Sequence, residues 1–219
     1  MAAYVGGMSD PPQPARPVST PEVPSSWDGA YASDAQSPWD IGRPQPAFVR
    51  LADRGLLRGP LQDAGCGTGE HALLAAARGA DVVGVDISPV AIGRARAKAA
   101  ERGVTVRFEV GDVLRLGRLG MGFDTVIDSG VFHVFDDSDR ARYVASLASA
   151  LRPGGICYLM CFSDRQPGDA GPRRVSQDDL RAAFADGWSV DGIAGEAFEL
   201  DPGLGITSAQ AWLATIRRL

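Results

Sequence analysis

The sequence predicts an α/β fold: a seven-stranded, mostly parallel sheet that ends in an antiparallel hairpin and carries helices on both faces. Three observations lead there. From Leu61 onward short apolar runs alternate with helix-periodic segments, as they do when strands and helices are interleaved. The run Leu61-Gln62-Asp63-Ala64 leads into Gly65-Cys66-Gly67-Thr68-Gly69 and then into an alanine-rich stretch. That is a strand, a glycine turn through which backbone can approach a ligand, and a helix start. The last two strands have no helix between them, only Asp201-Pro202-Gly203-Leu204-Gly205, and so should pair antiparallel.

Residues 1–24 are rich in Pro, Ala, Ser and Gly and bury too little to offset their ordering entropy, which predicts a disordered tail before a single domain over 25–219. Ser25–Tyr31 reads as a capped helical turn, with Trp27 and Tyr31 on one face. Trp27 is expected to anchor this turn to the core. An irregular segment, Pro38-Trp39-Asp40-Ile41-Gly42-Arg43-Pro44-Gln45-Pro46, leads into a helix near 46–57, and 25–57 together form a candidate cap over the site. Strands follow at about 61–64, 81–85, 104–110, 123–128, 155–162, 188–197 and 209–217. Helices fall at about 69–78, 89–102, 138–151 and 176–185. Ser88 and Pro89 mark one helix start, and Pro153-Gly154-Gly155 turns another helix into a strand.

Composition narrows the function. A length of 219 residues with 45% hydrophobic and 22% charged side chains suits one soluble domain. The net charge of −5, a single lysine (Lys98) and scattered arginines argue against nucleic acid as partner. No apolar run is long enough to span a bilayer, and the N-terminus lacks a signal-peptide pattern, so neither a membrane nor an export route is expected. Three cysteines (Cys66, Cys157, Cys161) suggest a reducing cytoplasm rather than a disulfide framework. Asp128 and Asp164 end adjacent predicted strands, but a third oxygen ligand is not apparent, and no metal is expected.

The glycine turn and Asp86, about twenty residues on at the tip of the second strand, suit an adenosine-containing ligand whose ribose hydroxyls Asp86 accepts. The dinucleotide fingerprint would place a third glycine at position 70, where this chain has Glu70. An acid in the first helical turn, with Asp63 below the loop, opposes a pyrophosphate and favours the sulfonium and ammonium of S-adenosylmethionine. A nucleotide-dependent oxidoreductase and a non-catalytic binder of S-adenosylmethionine are the alternatives.

Asp63-Ala-Gly-Cys-Gly-Thr-Gly69, Asp86, Gly111-Asp112-Val113, Phe123-Asp-Thr-Val-Ile-Asp128 and Leu151-Arg-Pro-Gly-Gly155 resemble, in order, the motifs of class I S-adenosylmethionine-dependent methyltransferases, whose fold is Rossmann-like. The 38–46 segment and Asp128-Ser129-Gly130-Val131-Phe132-His133 resemble the thiopurine and thiol methyltransferase-like group, most of all mycobacterial enzymes that methylate heterocyclic toxins such as hydroxyquinolines. The resemblance implies a small aromatic or thiol acceptor, methylated at O, N or S, and a detoxification role. It also implies cofactor contacts. Gly65, Cys66 and Gly67 would line the methionine moiety, and Asp63 would either orient the loop or receive the ammonium through water. Asp86 would hold the ribose, Ile87 pack on the adenine, and Asp112 and Val113 bond its edge. Asp128 and Ser129 would close that wall, and Trp39 would lie over the sulfonium, which an aromatic face attracts.

On the acceptor side, His133 is either a general base, taking a proton from a phenol, enol or ring N–H, or a half-buried histidine that shapes the pocket or bonds a backbone carbonyl. Phe132, Phe135 and Phe162 are candidates for an apolar wall around a flat ring, with plain core as the alternative for some of them. Cys66 lacks a partner base and is not expected to act as a nucleophile.

Overall fold

The computed structural model describes residues 23–32, 37–201 and 206–219. The greater part of the expected tail, 1–22, and the hairpin turn at 202–205 lie outside the described residues.

Helix α1 (Val23–Ala32) and helix α2 (Pro46–Asp53) precede the sheet. Then follow β1 (Leu61–Ala64), α3 (Glu70–Ala77), β2 (Val82–Asp86), α4 (Pro89–Arg102), β3 (Arg107–Val110), β4 (Phe123–Ser129), α5 (Asp137–Ala150), β5 (Leu151–Phe162), α6 (Gln177–Ala183), β6 (Trp188–Glu199) and β7 (Ser208–Arg218). The strands form one sheet of order β3-β2-β1-β4-β5-β7-β6. β1 to β5 run parallel, and β7 pairs antiparallel with both β5 and β6.

Local chemistry sets the boundaries. Ser88 accepts from Ala91 N at 3.1 Å and Pro89 opens α4, as expected. Gly103, at φ +63°, closes α4, and Val104 N–H then donates back to Ala99 O. That closing turn uses up residue 104, so β3 starts later than its apolar pattern suggests. β5 shows the opposite effect. Pairing begins already at Leu151 opposite Phe123, and the Arg152–Gly155 stretch is taken up in a register shift before Ile156 pairs with Thr125.

The sheet buries both faces, so β1 and β2 are buried at every position, and even Gln62 and Asp63 of β1 lie inside. On one face Phe48 of α2, Leu73 of α3 and Ile92 of α4 pack with Leu61, Phe108 and Ile127. On the other, Tyr143 and Leu147 of α5 and Leu180 of α6 pack with Val126, Leu159 and Trp212.

Register then builds the site. Ala64 stands opposite Val85 on one side and Asp128 on the other, so the next residues (Gly65, Asp86 and Ser129) come side by side at the carboxyl edge of the sheet. The reversal of strand order between β1 and β4 opens a crevice there.

Candidate active site

A cavity of about 350 Å³ occupies this crevice. One half is bounded by Gly65, Asp86, Ile87, Asp112, Val113 and Ser129, six of the residues the sequence nominated for the cofactor. Gly65 adopts φ +67°, and a Cβ there would stand 2.2 Å from Val131 Cγ2, so only glycine fits. Asp86 accepts from Gly67 N at 2.8 Å through Oδ2 and from Ser88 N at 2.9 Å through Oδ1, tying the glycine loop to the start of α4. Burial raises its pKa and the nearby Asp28 adds to this, while the two N–H donors act the other way. Asp112 accepts from Leu114 N at 2.9 Å, capping a 3₁₀ segment (Val113–Leu119), so it shapes its turn and faces the cavity as well.

Other nominees lie behind the wall. Asp63 is buried under the loop, its carboxyl pushed up to about 8 by burial, and Oδ2 has no hydrogen-bond partner among the described residues. Asp128 is fully buried and accepts from Val131 N, Phe132 N and the Tyr143 hydroxyl at 2.7, 3.1 and 3.1 Å. It fixes the turn after β4 instead of reaching the cavity. Gly67 sits beneath the Tyr31 hydroxyl, and Cys66 packs into the core with its thiol pushed up by burial, which suppresses the thiolate.

Glu70 does not face a ligand at all. Its carboxylate is paired with Lys98 at 2.8 Å and Arg102 at 2.8 Å, both on α4. The acidic side chains that oppose a pyrophosphate are therefore Asp86 and Asp112, which border the cavity, and not Glu70.

The N-terminal segment covers this half. Trp39 lies on the wall as expected, its Nε1 donating to the Tyr31 hydroxyl at 3.1 Å. Trp27, expected to be only an anchor, also lines the cavity, edge-on to Trp39 at 5.6 Å between centroids. Thr68 donates to Asp40 at 2.9 Å, and Gln45 exchanges two hydrogen bonds with the backbone of Glu199, so the cap is stitched to the glycine loop and to β6.

The far half is aromatic. Phe162 and Phe198 stand 5.6 Å apart, with Phe135, Leu200 and Ile206 completing the wall. Phe198 escaped the sequence reading because β6 reaches the site only through β7. Phe132, nominated for this wall, is instead fully buried against Phe184 with the Arg140 guanidinium over its ring at 4.7 Å. The reason is local: Phe132–Val134 form a 3₁₀ turn, which sends successive side chains to different sides.

His133 lines the cavity. Its Nδ1 accepts from Phe162 N at 2.9 Å. A backbone N–H can only donate, so the ring proton must sit on Nε2, and the one lone pair of the neutral imidazole is already used. Burial, aided by the charges of Arg140 and Arg174, pushes its pKa down to about 3. Arg174 in turn lies over Phe162 and donates to the carbonyls of Gln166, Gly168, Ala170 and Pro172, holding the loop that closes this end.

Among the described residues no group of three or more His, Cys, Asp or Glu can hold a metal ion, and no helix is long and apolar enough to cross a membrane. Asp164 accepts from Trp212 Nε1 at 3.1 Å.

Comparison with known proteins places this geometry. The methyltransferase domain family matches residues 62–155. A 2-heptyl-1-hydroxyquinolin-4(1H)-one methyltransferase of Mycobacteroides abscessus is 39% identical over 163 residues, covering 73% of this chain and 72% of that protein. A structure solved in work on converting a disulfide bond into a thioacetal group during echinomycin biosynthesis superposes with a TM-score of 0.81 at 37% identity, covering 89% of this chain and 91% of that one. The Burkholderia thailandensis 1,6-didemethyltoxoflavin-N1-methyltransferase, solved with its substrate and S-adenosylhomocysteine, shares the fold at 20% identity and a TM-score of 0.68, covering 93% and 92% of the two chains.

Proposed function

Because this chain belongs to the S-adenosylmethionine-dependent methyltransferases, we propose that it methylates an O, N or S atom of a small, flat aromatic or heterocyclic acceptor, in a detoxifying role. The observation that carries this reading is the joining of two unlike halves in one cavity. A glycine and carboxylate half (Gly65, Asp86, Asp112) continues into an aromatic half (Phe135, Phe162, Phe198). The relative from Mycobacteroides abscessus, named for a hydroxyquinolinone, supports a heterocyclic acceptor. Three buried free thiols support a reducing, cytoplasmic setting.

The residues present fit the donor. Only a residue without Cβ lets a ligand lie along Gly65, and carboxylates rather than cations border that half. S-adenosylmethionine supplies an electrophilic methyl group on a sulfonium. Asp86 accepts from the ribose hydroxyls with the lone pairs its backbone bonds leave free. Ile87 and Val113 flank the adenine, Asp112 accepts at its edge, and Ser129 and Gly65 border the methionine chain. Asp63 and Asp128 act from behind, by holding the loops, and the 25–57 segment caps the site with Trp27 and Trp39. Catalysis then rests on alignment in a largely apolar cavity, a contribution of up to ~7–11 kcal/mol.

A radiolabelled-methyl screen over hydroxyquinolines, phenols, aryl thiols, purine thiols and aliphatic alcohols tests the reading. Label is expected in the planar acceptors, alongside saturable calorimetric binding of S-adenosylhomocysteine. Label confined to aliphatic acceptors would contradict it.

A further inference from the structure

Resting on that reading, we propose that the enzyme selects acceptors that arrive already ionised, as phenolate, N-oxide anion or thiolate, and that His133 binds the anion through its Nε2–H. Two features of the aromatic half carry the inference. The first is the hydrogen-bonding state of His133. Its Nδ1 is committed to Phe162 N–H, so the ring offers the cavity a donor and no acceptor. Nε2 lies beside Gly130, another wall residue, and donates to none of the described residues. A proton on the acceptor would meet an N–H there, donor against donor; an anion would meet a partner.

The second is a buried guanidinium behind the histidine, one of whose nitrogens is left unpaired among the described residues. Arg140 of α5 is 6% exposed, its Nη2 has no hydrogen-bond partner among the described residues, and its guanidinium lies on the Phe132 ring. Asp137 of α5 and Asp179 of α6 offset part of its charge, yet the buried Nη2 is left without a partner among the described residues, and an anion placed nearby lowers that cost. Arg174, from the loop after β5, adds a second positive charge on the same ring. The charged and titratable groups around His133 include these two guanidiniums, Asp137 of α5 and Asp179 of α6 facing Arg140, Asp139 of α5, which lines the cavity and is paired with Arg142 at 2.5 Å, and Asp128 of β4, held by the Val131 and Phe132 N–H groups and Tyr143. Among the described residues none of these groups hydrogen-bonds the ring nitrogen beside Gly130.

The cavity is therefore electrostatically two-sided: Asp86 and Asp112 border the half that holds the donor, and the Arg140 and Arg174 charges act on His133 at the acceptor half. The acceptor loses its proton to bulk water before it binds. Its anion then forms a bond to the methyl carbon, the carbon–sulfur bond breaks with its electron pair going to sulfur, and both charges disappear together. A water-poor, largely apolar wall favours such a charge-annihilating step.

The test is the pH dependence of kcat/KM, at saturating S-adenosylmethionine, for ring-substituted phenols and aryl thiols whose own pKa values spread over several units around neutrality. Each profile is expected to rise with pH and level off at the pKa of that acceptor, so that the inflection moves with the compound. One inflection shared by all acceptors would identify an enzyme base and overturn the proposal, while turnover itself would still uphold the methyl transfer. Absence of turnover throughout would overturn both. As a second reading, His133→Leu should lower kcat/KM about 10- to 100-fold, the effect of one hydrogen bond to a charged group. His133→Gln keeps an N–H and should recover most of it. Equal losses in the two variants would count against a donor role.

Discussion

Asp86→Ala is expected to weaken binding of S-adenosylhomocysteine by at least about 100-fold. The carboxylate holds Gly67 N–H and Ser88 N–H and borders the cavity at the same time, so one side chain sets the shape of the glycine loop and faces the ribose. Each hydrogen bond to a charged group contributes about 1.5–3 kcal/mol, and two ribose hydroxyls together give about 3–6 kcal/mol, or at least a factor of about 100. Asp86→Asn sharpens the point. Its amide has one oxygen for two backbone donors, so either Gly67 N–H or Ser88 N–H must face an NH₂. It should bind weakly while retaining the wild-type volume. Calorimetry measures both, and affinity within a few-fold of wild type for either variant would remove Asp86 from the cofactor site.

Asp128→Ala should destabilise the fold by about 4 kcal/mol in denaturant unfolding, because it strands two buried N–H groups and a tyrosine hydroxyl at about 1–3 kcal/mol each. Tyr143→Phe, which removes only one partner, should cost about 1 kcal/mol. A loss for Asp128→Ala no larger than that for Tyr143→Phe would show that the turn after β4 holds itself. Asp128 and Asp63 also make stability depend on pH. Burial pushes their carboxyls up to about 7 and about 8, so the folded state keeps these protons longer than the unfolded chain does. Their contribution is fully present below the unfolded carboxyl range and is lost as pH rises through the folded values. His71 and His133, pushed down to about 4 and about 3 by burial, work in the opposite direction below about pH 6.5. Stability should therefore fall between about pH 6.5 and 8, and Asp63→Asn should flatten that fall.

Local signals in the sequence reached far. Ser88 with Pro89, Gly103 and the three alternating glycines each act within a few residues, and the structure places strand and helix ends where those signals sit. Six cofactor-side residues border the cavity because parallel register follows directly from strand order. What the sequence did not reveal depends on distant partners. Glu70 reads as an acid facing a ligand until Lys98 and Arg102, a helix away, claim it. His133 reads as either a base or a pocket-shaping histidine until Phe162, 29 residues later, donates to its Nδ1. Phe132 and His133 exchange surroundings within one 3₁₀ turn, and Phe198 enters by way of a strand paired at the far side of β5.

The most direct test is a crystal structure with S-adenosylhomocysteine. The ribose is expected on Asp86, the adenine between Ile87 and Val113, and the sulfur pointing across the cavity toward His133 and Phe162. Product lying with its adenine among Phe162 and Phe198, or no product in the crevice at saturating concentration, would contradict a cleft built to bring a cationic donor against an anionic acceptor.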